Sequence, residues 1–309
     1  MWRVAGGGVH RSLTTWLALA VAPVVLSCSP DGLFGVNQAS GFDPGTGLHT
    51  MSSGSLQRDY ILHVPAHRPT STSGTLLPYP LVIVLHGSSG SADDIRGTTQ
   101  MDSVSEAVHW VVAYPDGVRG EGGLFPSDWD AGTCCGAASR ENIDDVGFIA
   151  QVMDELTVNL PIDTKRIYVV GFSDGGRMAH TLACALASKI AAIGVVSGSI
   201  ADDSCAPSRP VPLIAIHGTD DDIVPYDEDS ATQPPSAAVG LGAALPPSVQ
   251  FWLATNGCGA GTSSKYSNDV THYSFTGCTG ADVAFYSIAG GVHTWPVGVP
   301  GVTDDPDSE

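Results

Sequence analysis

Residues 166–189 read Arg-Ile-Tyr-Val-Val-Gly-Phe-Ser-Asp-Gly-Gly-Arg-Met-Ala-His-Thr-Leu-Ala-Cys-Ala-Leu-Ala-Ser-Lys, and no other stretch limits the architecture as much. The run 167–170 is β-branched and aromatic, which suits a buried strand. The segment after it is rich in Ala, Leu and Met, which suits a helix. Between the two lies Gly171-Phe172-Ser173-Asp174-Gly175, a G-x-S-x-G pentapeptide. A strand that turns at once into a helix holds its central residue on a strained corner, so the Ser173 hydroxyl projects from the sheet as a candidate nucleophile. Glycines flank it because a Cβ at either place would strike neighbouring backbone. The amides at the start of that helix suit a developing oxyanion.

A chain of 309 residues, 43% hydrophobic, can bury one sizeable core. Its net charge of −19, from 32 acids against 13 bases, argues against nucleic acid as a partner and against charge-driven binding to anionic membranes. Residues 1–28 have the basic start and apolar run of an export signal. The run ends in Val25-Leu26-Ser27-Cys28, the pattern of a bacterial lipobox in which Cys28 would carry lipid; an ordinary cleavage site nearby is the alternative. Residues 29–55, rich in Gly, Ser, Asp and Pro, are expected to be a flexible tether. A catalytic domain is expected over 56–298, followed by an acidic disordered tail over 299–309.

Within the domain the pattern predicts an edge strand at 58–65 and strands at 80–85, 110–114, 167–170, 192–196, 211–216 and 283–288. Helices are expected at 142–160, after Ser173 and at 247–255, and a long glycine-rich loop at 118–141. Strands alternating with helices imply an α/β fold: a doubly wound, mostly parallel sheet with helices on both faces.

A serine hydroxyl needs a base to take its proton and a carboxylate to orient that base. In this architecture they follow in the order Ser, acid, His, on loops after strand ends. The last strand empties into Gly290-Gly291-Val292-His293, and chain order favours His293 as base over His86 and His217, which also sit at strand ends. The strand 211–216 empties into His217-Gly218-Thr219-Asp220-Asp221-Asp222, and spacing leaves the choice among the three aspartates open. The oxyanion donors are expected to be the N–H of Asp174, after the nucleophile, and the N–H of Ser88, in the loop after the strand 80–85. Trp129, Tyr226 and Trp295 lie on loops beside these motifs and are candidates for a substrate-binding platform.

Cysteine usage points to an oxidising compartment, outside the cell or at its surface. Cys28 aside, pairing cysteines on nearby segments joins Cys184 to Cys205 and Cys258 to Cys278, which leaves Cys134 and Cys135 with each other. No spacing resembles a metal site, a phosphate-binding loop or a dinucleotide fingerprint, so neither metal nor cofactor is expected.

Taken together, Leu85-His86-Gly87, Tyr114-Pro115-Asp116-Gly117, Trp129-Asp130-Ala131-Gly132, Cys134-Cys135-Gly136, Asp144-Asp145-Val146-Gly147-Phe148, Gly171 to Gly176, His217-Gly218-Thr219 to Tyr226, Asn256-Gly257-Cys258 and His293-Thr294-Trp295-Pro296 form an ordered set. The set resembles the secreted polyhydroxybutyrate depolymerase-like esterases, α/β-hydrolases that include feruloyl and acetylxylan esterases. The resemblance implies an α/β-hydrolase fold, Ser173 as nucleophile and His293 as base. It places the acid at Asp221, because the family pattern reads His-Gly-Thr-x-Asp. Two departures stand out. The family's closing helix after the histidine loop has no counterpart in 297–309, which holds two prolines and an acidic run, and the triple aspartate replaces more apolar neighbours. The implied activity is a secreted serine carboxylesterase acting on esters of extracellular polymer, either feruloyl or acetyl esters of plant polysaccharide or a polyester. The rival is a surface lipoprotein that keeps the scaffold as a non-catalytic binding module, against which a complete triad weighs. Oligomeric state is not written in the sequence.

Overall fold

The computed structural model describes residues 42–119, 127–132, 136–201, 204–227 and 245–296. The export signal with Cys28, the cysteines 134 and 135, and the acidic tail 299–309 lie outside the described residues.

The run Tyr-Pro-Leu-Val-Ile-Val-Leu is buried at every position and forms β3 (Tyr79–Leu85). A fully apolar strand of this kind needs cover on both faces. Pro80 cannot donate to a ladder, and the pairing of β3 shifts register between Tyr79 and Leu81 to pass it. Parallel strands flank β3: β4 (Val111–Pro115) on one side and β7 (Ile162–Phe172) on the other. Beyond β7 the parallel order continues through β8 (Ala192–Val196), β9 (Leu213–Gly218) and β12 (Val283–Ile288). The edges are antiparallel. On one side β2 (Leu56–Val64) pairs with β4 and β1 (Gly45–Ser53) with β2; on the other β11 (Val270–Phe275) pairs with β12 and β10 (Thr262–Lys265) with β11. The result is a ten-stranded, mostly parallel sheet in the order β1-β2-β4-β3-β7-β8-β9-β12-β11-β10.

Three expectations are corrected here. Part of the expected tether, 45–53, is strand β1, and the strand at 56–64 is therefore not an edge. Leu48 at 68% exposure shows why: β1 is polar and solvent-facing, so it lacks the apolar alternation that marks a strand in sequence. The glycine-rich loop also carries structure, namely the short pair β5 (Val118–Arg119) and β6 (Ser127–Asp128) and the helix α3 (Gly136–Glu141).

Strand alternation divides the core between the two faces. Leu81, Ile83, Leu85, Ile167 and Val169 pack with α4 (Asp145–Asn159), α5 (Asp174–Ala185) and α6 (Pro247–Thr255). Val82, Val84 and Val112 pack on the other side with Ala92 and Ile95 of α1 (Ala92–Thr99). A second short helix, α2 (Met101–Val108), follows α1. Along β8 and β9 this second face holds an apolar groove of about 670 Å³ whose lining includes Val108, Val170, Ile214, Ile216 and Trp295, and Ile214 is 52% exposed. Two disulfides pin loops as expected: Cys184–Cys205 ties the end of α5 to the segment after β8, and Cys258–Cys278 ties the segment after α6 to the one after β11.

Candidate active site

Ser173 sits between β7 and α5 with φ 57° and ψ −119°, a left-handed backbone that a residue with a Cβ adopts only when its surroundings force it. Here they do. The Ser173 N–H donates to Val196 O on β8 at 2.9 Å, and its carbonyl accepts from Arg177 N–H at 3.0 Å in the first turn of α5. A Cβ on Gly171 would lie 1.9 Å from Gly175 O, and one on Gly175 would lie 2.3 Å from Leu85 O. The two glycines are thus what lets strand, helix and β3 close on one corner.

His293 lies after β12, at the same end of the sheet. Its Nε2 is 2.8 Å from Ser173 Oγ, and its Nδ1 is 2.9 Å from Asp221 Oδ2 and 3.0 Å from Oδ1. A carboxylate can only accept, so Nδ1 carries the proton and Nε2 is left to accept from the serine hydroxyl. The Asp221 side chain is fully buried, whereas Asp220 and Asp222 are exposed. Its Oδ1 accepts from Val224 N–H at 2.9 Å and Ile223 N–H at 3.1 Å. Burial acts to raise the Asp221 pKa, but the hydrogen bonds from Val224, His293 and Ser197 outweigh it and hold the carboxyl below its ordinary value. His217 braces the same loop, with Nε2–H donating to Val224 O at 2.8 Å and lying 3.3 Å from Asp221 Oδ2.

The loop after β3 runs beside the corner. The Ser89 N–H is engaged with Ser127 O at 2.8 Å, and Ser88 precedes it on the exposed side of the turn. Asp174, the first residue of α5, is buried with its side chain turned inward.

The aromatic platform is largely corrected. Trp129 is fully buried, and its indole N–H donates to His86 O at 2.9 Å, so it packs behind the loop with no exposed face to offer as a platform. Tyr226 packs against His217 and Phe285, and its hydroxyl donates to Ser287 Oγ at 3.0 Å. Burial raises that hydroxyl's pKa to about 12. Trp295 is half-buried, meets Phe172 edge-on and lines a cavity of about 240 Å³ with Ser197 and His217. Phe172 itself lies against the His293 ring, centroids 5.0 Å apart.

Sequence reasoning missed Ser197 and the pair Arg58–Asp145. Ser197 follows a strand in a plain Ser-Gly-Ser turn and bears no motif, although its φ of 49° marks it in the structure. Arg58 and Asp145 form a buried ion pair at 2.7 Å, with Asp145 Oδ2 accepting from Asp130 N–H at 2.7 Å and the guanidinium over the Phe148 ring. A sequence separation of 87 hid the pairing. Among the described residues no group of three or more His, Cys, Asp or Glu side chains is placed to share a metal ion.

Residues 72–241 match the family model described as Phospholipase/Carboxylesterase. Feruloyl esterase C of Emericella nidulans is 27% identical over 83% of this chain and 85% of its own length. Feruloyl esterase B of Piromyces equi is 35% identical over 48% of this chain and 27% of its own length, so that match covers about a quarter of the relative. An acetyl xylan esterase from Aspergillus awamori superposes with a TM-score of 0.58 at 14% identity, over 82% of this chain and 96% of that one. The sheet and its flanking helices are thus an α/β-hydrolase fold.

Proposed function

The chain belongs to the phospholipase/carboxylesterase family and is a serine ester hydrolase, and from that premise we propose that Ser173, His293 and Asp221 hydrolyse esters of an extracellular polymer through an acyl-enzyme. The observation that carries the reading is the relay itself: Ser173 Oγ, His293 Nε2 and Nδ1, and Asp221 stand in hydrogen-bond contact in that order.

In the proposed reaction Ser173 Oγ attacks the ester carbonyl while His293 Nε2 takes its proton. Asp221 keeps the imidazole in the Nδ1–H tautomer and favours the imidazolium that forms. The N–H groups of Ser88 and Asp174 receive the oxyanion, a role worth on the order of 3 kcal/mol per donor in acyl transfer. His293 then gives its proton to the leaving alcohol, and the C–O bond to that alcohol breaks. Water, deprotonated by the same histidine, attacks the acyl-serine, releases the acid and restores the serine hydroxyl.

The relatives named as feruloyl and acetyl xylan esterases support hydroxycinnamoyl or acetyl esters of plant polysaccharide as the substrate class. Two disulfides and the signal-like residues 1–28 support an exported enzyme, which is where such polymers occur. Anchoring through lipid at Cys28 is the further possibility that the lipobox pattern supports. The test compares kcat/KM on methyl ferulate and on p-nitrophenyl acetate, with Ser173→Ala beside the wild type. A preference for methyl ferulate supports the hydroxycinnamoyl class. Turnover of p-nitrophenyl acetate alone moves the assignment to acetyl esters, and no turnover of either by folded enzyme contradicts the reading.

A further inference from the structure

The residue between Ser173 and Gly175 has a side chain that the reaction above does not use. Asp174 is 3% exposed, and its Oδ2 accepts the Trp129 main-chain N–H at 3.0 Å. Among the described residues its Oδ1 has no hydrogen-bond partner. Trp129 passes the connection on: its indole N–H donates to His86 O at 2.9 Å, and its ring leans on the His86 imidazole with centroids 4.8 Å apart. His86 is held in turn, Nε2 accepting from Gly117 N–H at 2.9 Å and Nδ1–H donating to Gly87 O at 2.8 Å. The Ser89 N–H donates to Ser127 O, two residues before Trp129, at 2.8 Å. Segment 127–129 is therefore hydrogen-bonded on one side to the first residue of α5 and on the other to loop 86–89.

Those two sides carry the two amides assigned to the oxyanion. We propose that the Asp174 side chain is a positioning residue: by accepting the Trp129 N–H it makes Trp129 a strut that fixes the spacing between the Asp174 and Ser88 amides. The proposal rests on the reading of Ser173 as nucleophile with those two donors. It gives a chemical reason for a side chain that spacing alone leaves free, since a G-x-S-x-G corner needs only the amide of its fourth residue. A strut of this kind matters most when negative charge gathers on the carbonyl oxygen, so its loss falls on kcat and spares KM.

The experiment measures kcat and KM for p-nitrophenyl acetate with the full-length protein, its variants checked for folding by thermal melting. Asp174→Ala is expected to lower kcat by about 10- to 100-fold with KM within about twofold, the range of a partly disrupted oxyanion donor. Asp174→Asn keeps an acceptor for the Trp129 N–H and is expected to recover most of that loss. Trp129→Phe keeps an aromatic ring, though a smaller one, and removes the bond to His86 O, so it is expected to lower kcat in the same way. The double variant Asp174→Ala/Trp129→Phe is then expected to be no worse than the poorer single, because both cut one connection. Unchanged kcat in Asp174→Ala, no recovery with Asn, or losses that multiply would overturn the strut. Should Asp174→Ala not fold, Trp129→Phe decides alone: a fall in kcat at constant KM supports the proposal and an unchanged kcat defeats it. Ser173→Ala separates the two levels. If it stays active, the underlying reading fails; if it is dead while Asp174→Ala behaves as wild type, only the strut fails.

Discussion

At the scale of single residues, the site is a contest between burial and hydrogen bonding, and two aspartates resolve it in opposite directions. Asp221 loses its water but gains donors from Val224, Ile223 and His293, so it stays ionised and can orient the base. Asp221→Ala removes that orientation, and kcat is expected to fall by about 10⁴-fold, the loss seen when a triad histidine is left in the wrong tautomer. Steady-state turnover of p-nitrophenyl acetate checks it; a loss under tenfold would mean another group holds His293. Asp174 gains too little to offset burial, and its pKa rises to about 6. A carboxyl whose pKa is raised on folding favours the native state below its unfolded value near 3.8 and costs stability as pH climbs through 6. Asp174→Asn is therefore expected to stabilise the protein at pH 7.5 relative to pH 4 by on the order of 3 kcal/mol. Denaturant midpoints at the two pH values measure this. Equal effects at both would contradict the burial argument.

At the scale of elements, the corner between β7 and α5 leaves no room for a side chain at either of its glycines. A methyl at Gly175 would sit 2.3 Å from Leu85 O and 2.5 Å from His86 O, both backbone atoms of the strand and loop that lead to Ser88. Gly175→Ala is thus expected to cost on the order of 3 kcal/mol of stability or to displace α5 and abolish turnover. A variant with wild-type melting and activity would show that the corner is looser than its contacts imply. This corner was fully legible in the sequence, because strand, pentapeptide and helix each carry a local signal. The parallel core strands were legible for the same reason, as continuous apolar runs such as 80–85. Strands β1 and β10 were not, since they are polar and solvent-facing, and β11 was not, since Thr271, His272 and Ser274 interrupt its buried Val270, Tyr273 and Phe275. Helix α1 was missed although Ser91 caps it by accepting from Asp94 N–H at 3.2 Å, because its brief apolar face reads as loop. Trp129, a candidate for the substrate platform by its place on a loop, is a packing residue: position on a loop says nothing about which way the ring turns.

At the scale of the whole molecule, one hydrolase sheet brings together residues 173, 221 and 293 from three separate strand ends, while the disulfides fasten the segments behind them. Cys184–Cys205 and Cys258–Cys278 close loops with separations of 21 and 20 residues, and each is expected to contribute about 3 kcal/mol by restricting the unfolded chain. Melting with and without dithiothreitol tests this, and an unchanged Tm after verified reduction would count against it. The sequence could rank the histidines by chain order but could not choose among Asp220, Asp221 and Asp222 by spacing. The structure separates them by burial, a property of the fold as a whole. The most direct test of Ser173 as the nucleophile is covalent trapping. The full-length protein is incubated with an organophosphorus fluoride, and the adduct is mapped by peptide mass spectrometry. One adduct per molecule on Ser173, formed at least about a hundredfold more slowly in His293→Ala, is the expected result for a serine activated by that base. No adduct, or one on another residue with Ser173 unmodified, would contradict it.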